Sequence, residues 1–236
     1  MESFAVLLTP RAAPGSPAAL RLADPGTVAL IVDVLRATTT LTVALRNGAA
    51  GVIPAATPEE GAALGRQHPG ALLCGERDGR VLPGYDLGNS PFEYAAERVA
   101  GRTLVFVSTN GSQALLLARG ARERVLAAFV NLSAAVERVR GARHALIVCA
   151  GKLGRFALED AVCAGALASR LRALGARPGN AEAELVEALA PGDAAAAHAL
   201  VQGASHGRYL RRLGPEFARD VEFCAQLDSI PEAYAV

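Results

Sequence analysis

The sequence has almost no lysine. Lys152 is the only one among 24 Lys and Arg residues, and with the abundance of Ala and Gly this reads as compositional bias. Neither charge is in surplus: 24 basic residues stand against 23 acidic ones for a net charge of +1. No global field therefore exists to hold a polyanion or an anionic bilayer, and binding to nucleic acid or membrane is not expected. The four cysteines, Cys74, Cys149, Cys163 and Cys224, form neither a C-x-x-C pair nor a small disulfide framework, which suits a reducing cytoplasm. The opening MESFAVLLTP lacks the basic n-region of an export signal. No apolar run reaches the roughly 18 residues of a membrane span. A soluble, cytoplasmic protein is the expectation.

Several catalytic signatures are also missing. There is no G-x-S-x-G elbow and no G-x-x-x-x-G-K-[ST] loop, and Asp33 is followed by Val34 and Leu35 instead of opening a D-x-D pair. Hydrolase-elbow, nucleoside-triphosphatase and the commonest aspartyl-phosphatase readings lose support accordingly. His68, His144, His198 and His206 share no metal-ligand spacing, so no zinc site is expected; His206 is placed at the surface, with approach to the site from its polar Ser-His-Gly-Arg stretch as the alternative.

What is present is a repeated local grammar: a short Val/Ile-rich run, a polar or Gly-rich turn, then a helical pattern. It occurs at Val28–Asp33 before Arg36–Thr40, at Thr103–Val107 before Ser108–Ser112, and at Ala145–Val148 before Cys149–Gly154. Non-alternating apolar runs predict strands buried on both faces, and the intervening helices predict parallel crossovers. Weaker strands are read at 4–8, 51–53, 71–74 and 125–127, and helices at 181–190, 194–201 and 220–227. The fold class is a three-layer α/β/α sandwich with a largely parallel or mixed sheet. The glycines and prolines between Gly75 and Pro91 predict a long ordered loop. Residues 1–236 are read as a single domain, with a hinge near 175–180 as the alternative.

In an open parallel sheet, ligands bind beyond the carboxyl ends of the strands, so the three turns are expected to share one crevice. Each turn opens a helix whose free N–H groups and dipole favour an anion, and phosphate is the ligand expected. Thr38, Thr39, Thr109, Asn110, Gly111 and Gly151 are the candidate donors, Asn89 and Ser90 the wall from the long loop, and Arg36 and Arg77 the bidentate clamps. The bland alternative for the turn residues is helix capping. Asp33, Glu76, Asp86, Glu159 and Asp160 form an oxygen-rich set suited to Mg²⁺. Their bland alternative is exposed acids paired with arginines. Asp33, Arg36, Glu76, Arg77 and Asp160 are the residues expected to carry catalysis. A third constellation, Cys149-x5-Arg155, has the spacing of cysteine-dependent phosphatases.

At these same residues the sequence resembles the 2-phosphosulfolactate phosphatases, the ComB-like enzymes of coenzyme M biosynthesis. The matching stretches are Asp33-Val-Leu-Arg-Ala-Thr-Thr-Thr40, Gly75-Glu-Arg77, Gly84-Tyr-Asp-Leu-Gly-Asn-Ser-Pro91, Ser108-Thr-Asn-Gly-Ser112, Cys149-Ala-Gly151 and Leu158-Glu-Asp160. Ser108 and Ser112 stand where threonine is common, and Lys152 replaces a smaller residue. The resemblance implies a Mg²⁺-dependent phosphatase that converts 2-phospho-3-sulfolactate to 3-sulfolactate and phosphate. A cysteine phosphatase and a non-catalytic phosphate- or sulfonate-binding protein are the alternatives. A homodimer is the default expectation for assembly.

Overall fold

The computed structural model describes all 236 residues. In chain order the strands are β1 (Ser3–Leu7), β2 (Thr27–Val32), β3 (Gly51–Pro54), β4 (Leu72–Arg77), β5 (Arg80–Val81), β6 (Thr103–Val107), β7 (Glu123–Ala127), β8 (His144–Cys149) and β9 (Arg177–Pro178). The helices are α1 (Pro17–Leu22), α2 (Ala37–Arg46), α3 (Pro58–Gln67), α4 (Ala96–Val99), α5 (Gly111–Leu117), α6 (Leu132–Val139), α7 (Leu158–Ala173), α8 (Ala181–Ala188), α9 (Ala194–Gly203), α10 (Ser205–Leu213) and α11 (Pro215–Cys224). No helix is long and apolar enough to cross a membrane.

The predicted α/β/α sandwich is present, and its strands fall into two sheets. The first has the order β7-β2-β8-β1-β9 and is wholly parallel. The second has the order β3-β6-β4-β5, parallel except where β5 folds back on β4. Strand β2 shows why its sequence does not alternate. Val28, Leu30 and Val32 enter the core under α6, α7 and the C-terminal helices, while Ala29 and Ile31 enter a second core with α2 and α5. Both faces are buried, so apolar residues are favoured at every position. Helix α5 packs against β2 of the first sheet and against β3 and β6 of the second, and so joins the two sheets.

Three local expectations change. The stretch 75–91 is not one loop, because Gly75–Arg77 complete β4 and Arg80–Val81 form β5. The segment at 175–180 is stitched to the first sheet: β9 pairs with β1, and Asn180 brackets Val6, accepting its N–H at 3.0 Å and donating to its carbonyl at 2.7 Å. The last helix occupies Pro215–Cys224, upstream of the expected position.

Helix α2 is rich in threonine, a poor helix former because its branched Cβ is restricted against the preceding turn. It is stable here because it is buried and its hydroxyls find carbonyls: Thr42 bonds Thr38 O (2.7 Å), Thr39 bonds Val34 O (3.1 Å) and Thr40 bonds Asn89 O (3.0 Å). A buried hydroxyl without such a partner is destabilising by roughly 1–3 kcal/mol.

Candidate active site

A cavity of about 310 Å³ lies beyond the carboxyl ends of β2, β4, β6 and β8. The three turns converge on it as expected, through Asp33 and Arg36, through Thr109 and Asn110, and through Lys152 and Leu153. The crevice does not belong to one sheet. Strands β2 and β8 approach from the first, and β4 and β6 from the second, which also delivers Glu76. Helix α10 closes the remaining side with His206, Tyr209 and Leu210.

Asp33 lies at the floor, only 6% exposed. Its Oδ1 accepts a long bond from Ala37 N–H (3.3 Å), and Oδ2 lies against Gly111, where a Cβ would stand 2.7 Å from it. Any side chain at 111 would displace the carboxylate, which is why the turn after β6 carries glycine here. Burial pushes the Asp33 carboxyl from 3.8 to about 7. Like-charge repulsion from Glu76 and Glu159 contributes to that rise, against the pull of Ala37 N–H and Arg36.

Glu76, also buried, is held by two backbone donors, Thr109 N–H at 2.8 Å and Gly79 N–H at 2.9 Å. Glu159 does not line the cavity wall but sits behind His206, whose Nδ1 is 3.2 Å from Glu159 Oε1; Oε2 is buried without a partner. Asn89 Oδ1, in the cavity lining, is likewise unpartnered. Asn110 accepts Leu153 N–H at 2.8 Å and so ties the turn after β8 to the head of α5.

Other candidates take up structural positions. Asp160 engages both oxygens, accepting Val34 N–H and Gly151 N–H at 2.9 Å each, and so staples the turn after β2 to the turn after β8. Burial, with Asp33 and Glu159 nearby, holds its carboxyl well above the usual range. Gly151 belongs to the same staple; its φ of +62° and a Cβ position 2.2 Å from Arg155 O require glycine.

Thr38 and Thr39 do not reach the cavity. Thr38 Oγ1 lies 2.9 Å from the carbonyls of Asp33 and Ala127 and accepts Asp33 N–H, and Thr39 is committed to Val34 O. Ser108 and Ser112 bond each other and cap α5 locally. Ser90 lies in an adjoining hollow, donating to Asp220. Asp86 is exposed on the outer side of β4, accepting Leu73 N–H, and is too remote to join a metal site here. Arg77 is exposed, outside the cavity lining, with Nη1 3.5 Å from Thr109 Oγ1. Arg36 does line the cavity, yet it is already engaged. Nη1 is paired with Asp220 Oδ2 at 2.5 Å and Nη2 donates to Gly79 O at 2.6 Å. The clamp predicted for a substrate thus holds the site's own frame.

The geometry disfavours the cysteine mechanism. Cys149 is 1% exposed at the end of β8, burial raises its thiol well above the ordinary range, and Arg155 is exposed on the next turn. A thiol so protonated and enclosed cannot attack phosphorus. Cys149→Ala is therefore expected to retain turnover within about threefold; a loss of two orders of magnitude with an intact fold would restore the thiol reading.

Reasoning from the chain alone missed Asp78, Lys152, Tyr209 and Asp220, and it placed His206 at the surface. His206 is only 13% exposed and lines the cavity. Its polar Ser-His-Gly-Arg setting was the one available signal; the docking of α10 that brings it in is long-range.

Comparison with known proteins gives a consistent result. A family model described as 2-phosphosulpholactate phosphatase matches residues 16–233. A probable 2-phosphosulfolactate phosphatase of Thermotoga petrophila is 44% identical over 204 residues, covering 85% of each chain. Proteins of the same description from Deinococcus radiodurans and Symbiobacterium thermophilum are 42% and 40% identical, over 86% and 87% of this chain and 84% and 89% of their own.

Proposed function

Because the chain belongs to the 2-phosphosulfolactate phosphatase family, we propose that it hydrolyses 2-phospho-3-sulfolactate to 3-sulfolactate and phosphate, with Mg²⁺ as cofactor. The observation that carries this reading is the electrostatic state of the cavity floor. Asp33 is held at about 7 by burial first and then by the like charges of Glu76 and Glu159.

A divalent cation relieves that repulsion, and the unpartnered Oδ1 of Asn89 in the cavity lining is a suitable oxygen ligand beside it. No group of three or more His, Cys, Asp or Glu side chains is arranged as a ready cage. That fits Mg²⁺, which is usually held by one or two carboxylates and fills its octahedron with waters and phosphate oxygens. Asp33 and Glu76, both in the cavity lining, would hold it. When bound, it would supply charge neutralisation at the phosphoryl oxygens.

The chain's own groups have separable tasks. Asp33, with Oδ2 free of hydrogen bonds, takes a proton from the attacking water; water oxygen adds to phosphorus as the ester P–O bond breaks, and that same proton passes from Asp33 to the departing alkoxide. Thr109 and Asn110, which line the cavity, would serve as neutral donors to the phosphoryl oxygens. Glu76, fixed by two N–H groups, keeps the turn after β6 in register with β4.

The test is phosphate release from 2-phosphosulfolactate, 2-phospholactate and 2-phosphoglycolate, with Mg²⁺ and with EDTA. We expect turnover that EDTA abolishes, with the sulfonate-bearing ester preferred. Turnover undiminished by EDTA overturns the Mg²⁺ assignment. No turnover with any ester, alongside ligand-dependent thermal stabilisation, would point to a binding protein.

A further inference from the structure

We propose that Lys152 binds the sulfonate of the substrate and sets the enzyme's preference for a phosphoester with a second strong-acid group. The inference rests on the phosphatase reading above and deepens it. The substrate carries acid groups besides its phosphate, so the cavity needs a cation that is not already neutralised. Three basic side chains line it. Arg36 is paired with Asp220 and His206 faces Glu159, whereas Lys152 makes no ion pair within 4.0 Å. Its ammonium instead rests over the Tyr209 ring, 4.3 Å from the centroid. That contact orients the charge, on which Glu159, Glu76 and Asp78 also act without forming an ion pair.

The position is built. Lys152 sits in a tight turn closed by Lys152 N–H to Arg155 O (2.8 Å) and Arg155 N–H to Lys152 O (3.0 Å). Asn110 anchors this turn through Leu153 N–H, and Leu153 is held at a φ of +51°. Only glycine adopts that backbone without strain, so with leucine there the conformation is imposed by the surrounding turn. Tyr209, on the facing helix, is itself fixed through its hydroxyl to Asp78 O at 3.3 Å.

The residue type fits the ligand. This chain uses arginine for every other Lys/Arg position, and its single lysine stands at this cavity. A guanidinium fork matches a planar carboxylate, while the rotating ammonium with three donors suits a tetrahedral sulfonate with three equivalent oxygens. A sulfonate is also ionised at every working pH, so the interaction is charge-assisted throughout.

The experiment compares kcat/KM for 2-phosphosulfolactate and 2-phospholactate in wild type, Lys152→Met and Lys152→Arg. A hydrogen bond to a charged group is worth about 1.5–3 kcal/mol, so the ratio of the two values should fall roughly 10- to 100-fold in Lys152→Met, mostly through KM. Lys152→Arg should recover only part of it. Equal losses on both esters would show that Lys152 serves the phosphoryl group, and no loss on either would show that it serves neither; both overturn the proposal. Calorimetric titration with 3-sulfolactate and with lactate separates this from failure of the phosphatase reading. Even without turnover, wild type should prefer the sulfonate and Lys152→Met should lose that preference; equal binding of the two acids by wild type would also overturn it.

Discussion

Asp33→Asn is expected to lower kcat for phosphate release by about 10³-fold or more, while raising the melting temperature of the metal-free protein at pH 8. The two effects share one cause. A carboxylate is kept in a buried, like-charged setting because the chemistry needs it there, and the folded state is less stable for it. The pH dependence has a definite sign. The Asp33 carboxyl is raised from 3.8 to about 7, so between those values the folded protein holds a proton that the unfolded chain has released. Stability therefore falls as pH rises through this window and levels off above it. A shift of that size corresponds to on the order of 4 kcal/mol, or roughly 10 °C for a chain of this length. Asparagine does not ionise, so in EDTA the variant should match wild type near pH 4 and exceed it increasingly up to pH 8. A stability difference that does not vary with pH would falsify the ionisation argument. Near-wild-type turnover would remove Asp33 from the centre of the mechanism.

The fold was legible where burial is double-sided. The Val/Ile runs that become β2, β6 and β8 admit one physical account, strands covered on both faces, and the turns after them do converge. Their division between two sheets was not legible, because periodicity reports which faces are buried and not which strand lies beside which. The turn residues were ambiguous for a related reason. Threonines at a helix start satisfy either an anion or the helix itself, and Thr38 and Thr39 chose carbonyls within the chain. Acidic residues carried the same ambiguity: Asp33 follows β2 and Asp160 lies in the first turn of α7, yet Asp33 lines the cavity while Asp160 spends both oxygens on backbone N–H groups. His206, Tyr209 and Asp220 come from helices packed back over the site after more than 40 intervening residues beyond Asp160, a distance at which local pattern carries no information.

Asp220 carries the second large effect. Its pairing with Arg36 is nearly dry, the two side chains being 2% and 3% exposed, and it is the junction of four segments. Asp220 on α11 takes Arg36 from the turn after β2 and Ser90 Oγ from the loop before α4; Arg36 in turn reaches Gly79 O in the β4–β5 hairpin. Burial raises the Asp220 carboxyl even against the pull of Ser90 and Arg36, so desolvation is a substantial part of the balance. Such a pair adds little net stability over an apolar replacement, but removing one partner leaves a buried charge without compensation. Asp220→Ala is accordingly expected to destabilise the protein by about 3–5 kcal/mol, on the order of 10 °C in melting temperature. The double variant Arg36→Met, Asp220→Leu should recover most of that loss, because neither charge remains to be desolvated. Activity should not recover with it: Gly79 and Ser90 lose their common anchor, and Gly79 N–H is one of the two donors that fix Glu76. Thermal unfolding of the three proteins, read beside their turnover, separates the contributions. An Asp220→Ala protein within about 1 kcal/mol of wild type would show that water enters to replace the carboxylate, and that the junction is not the organising contact its burial implies.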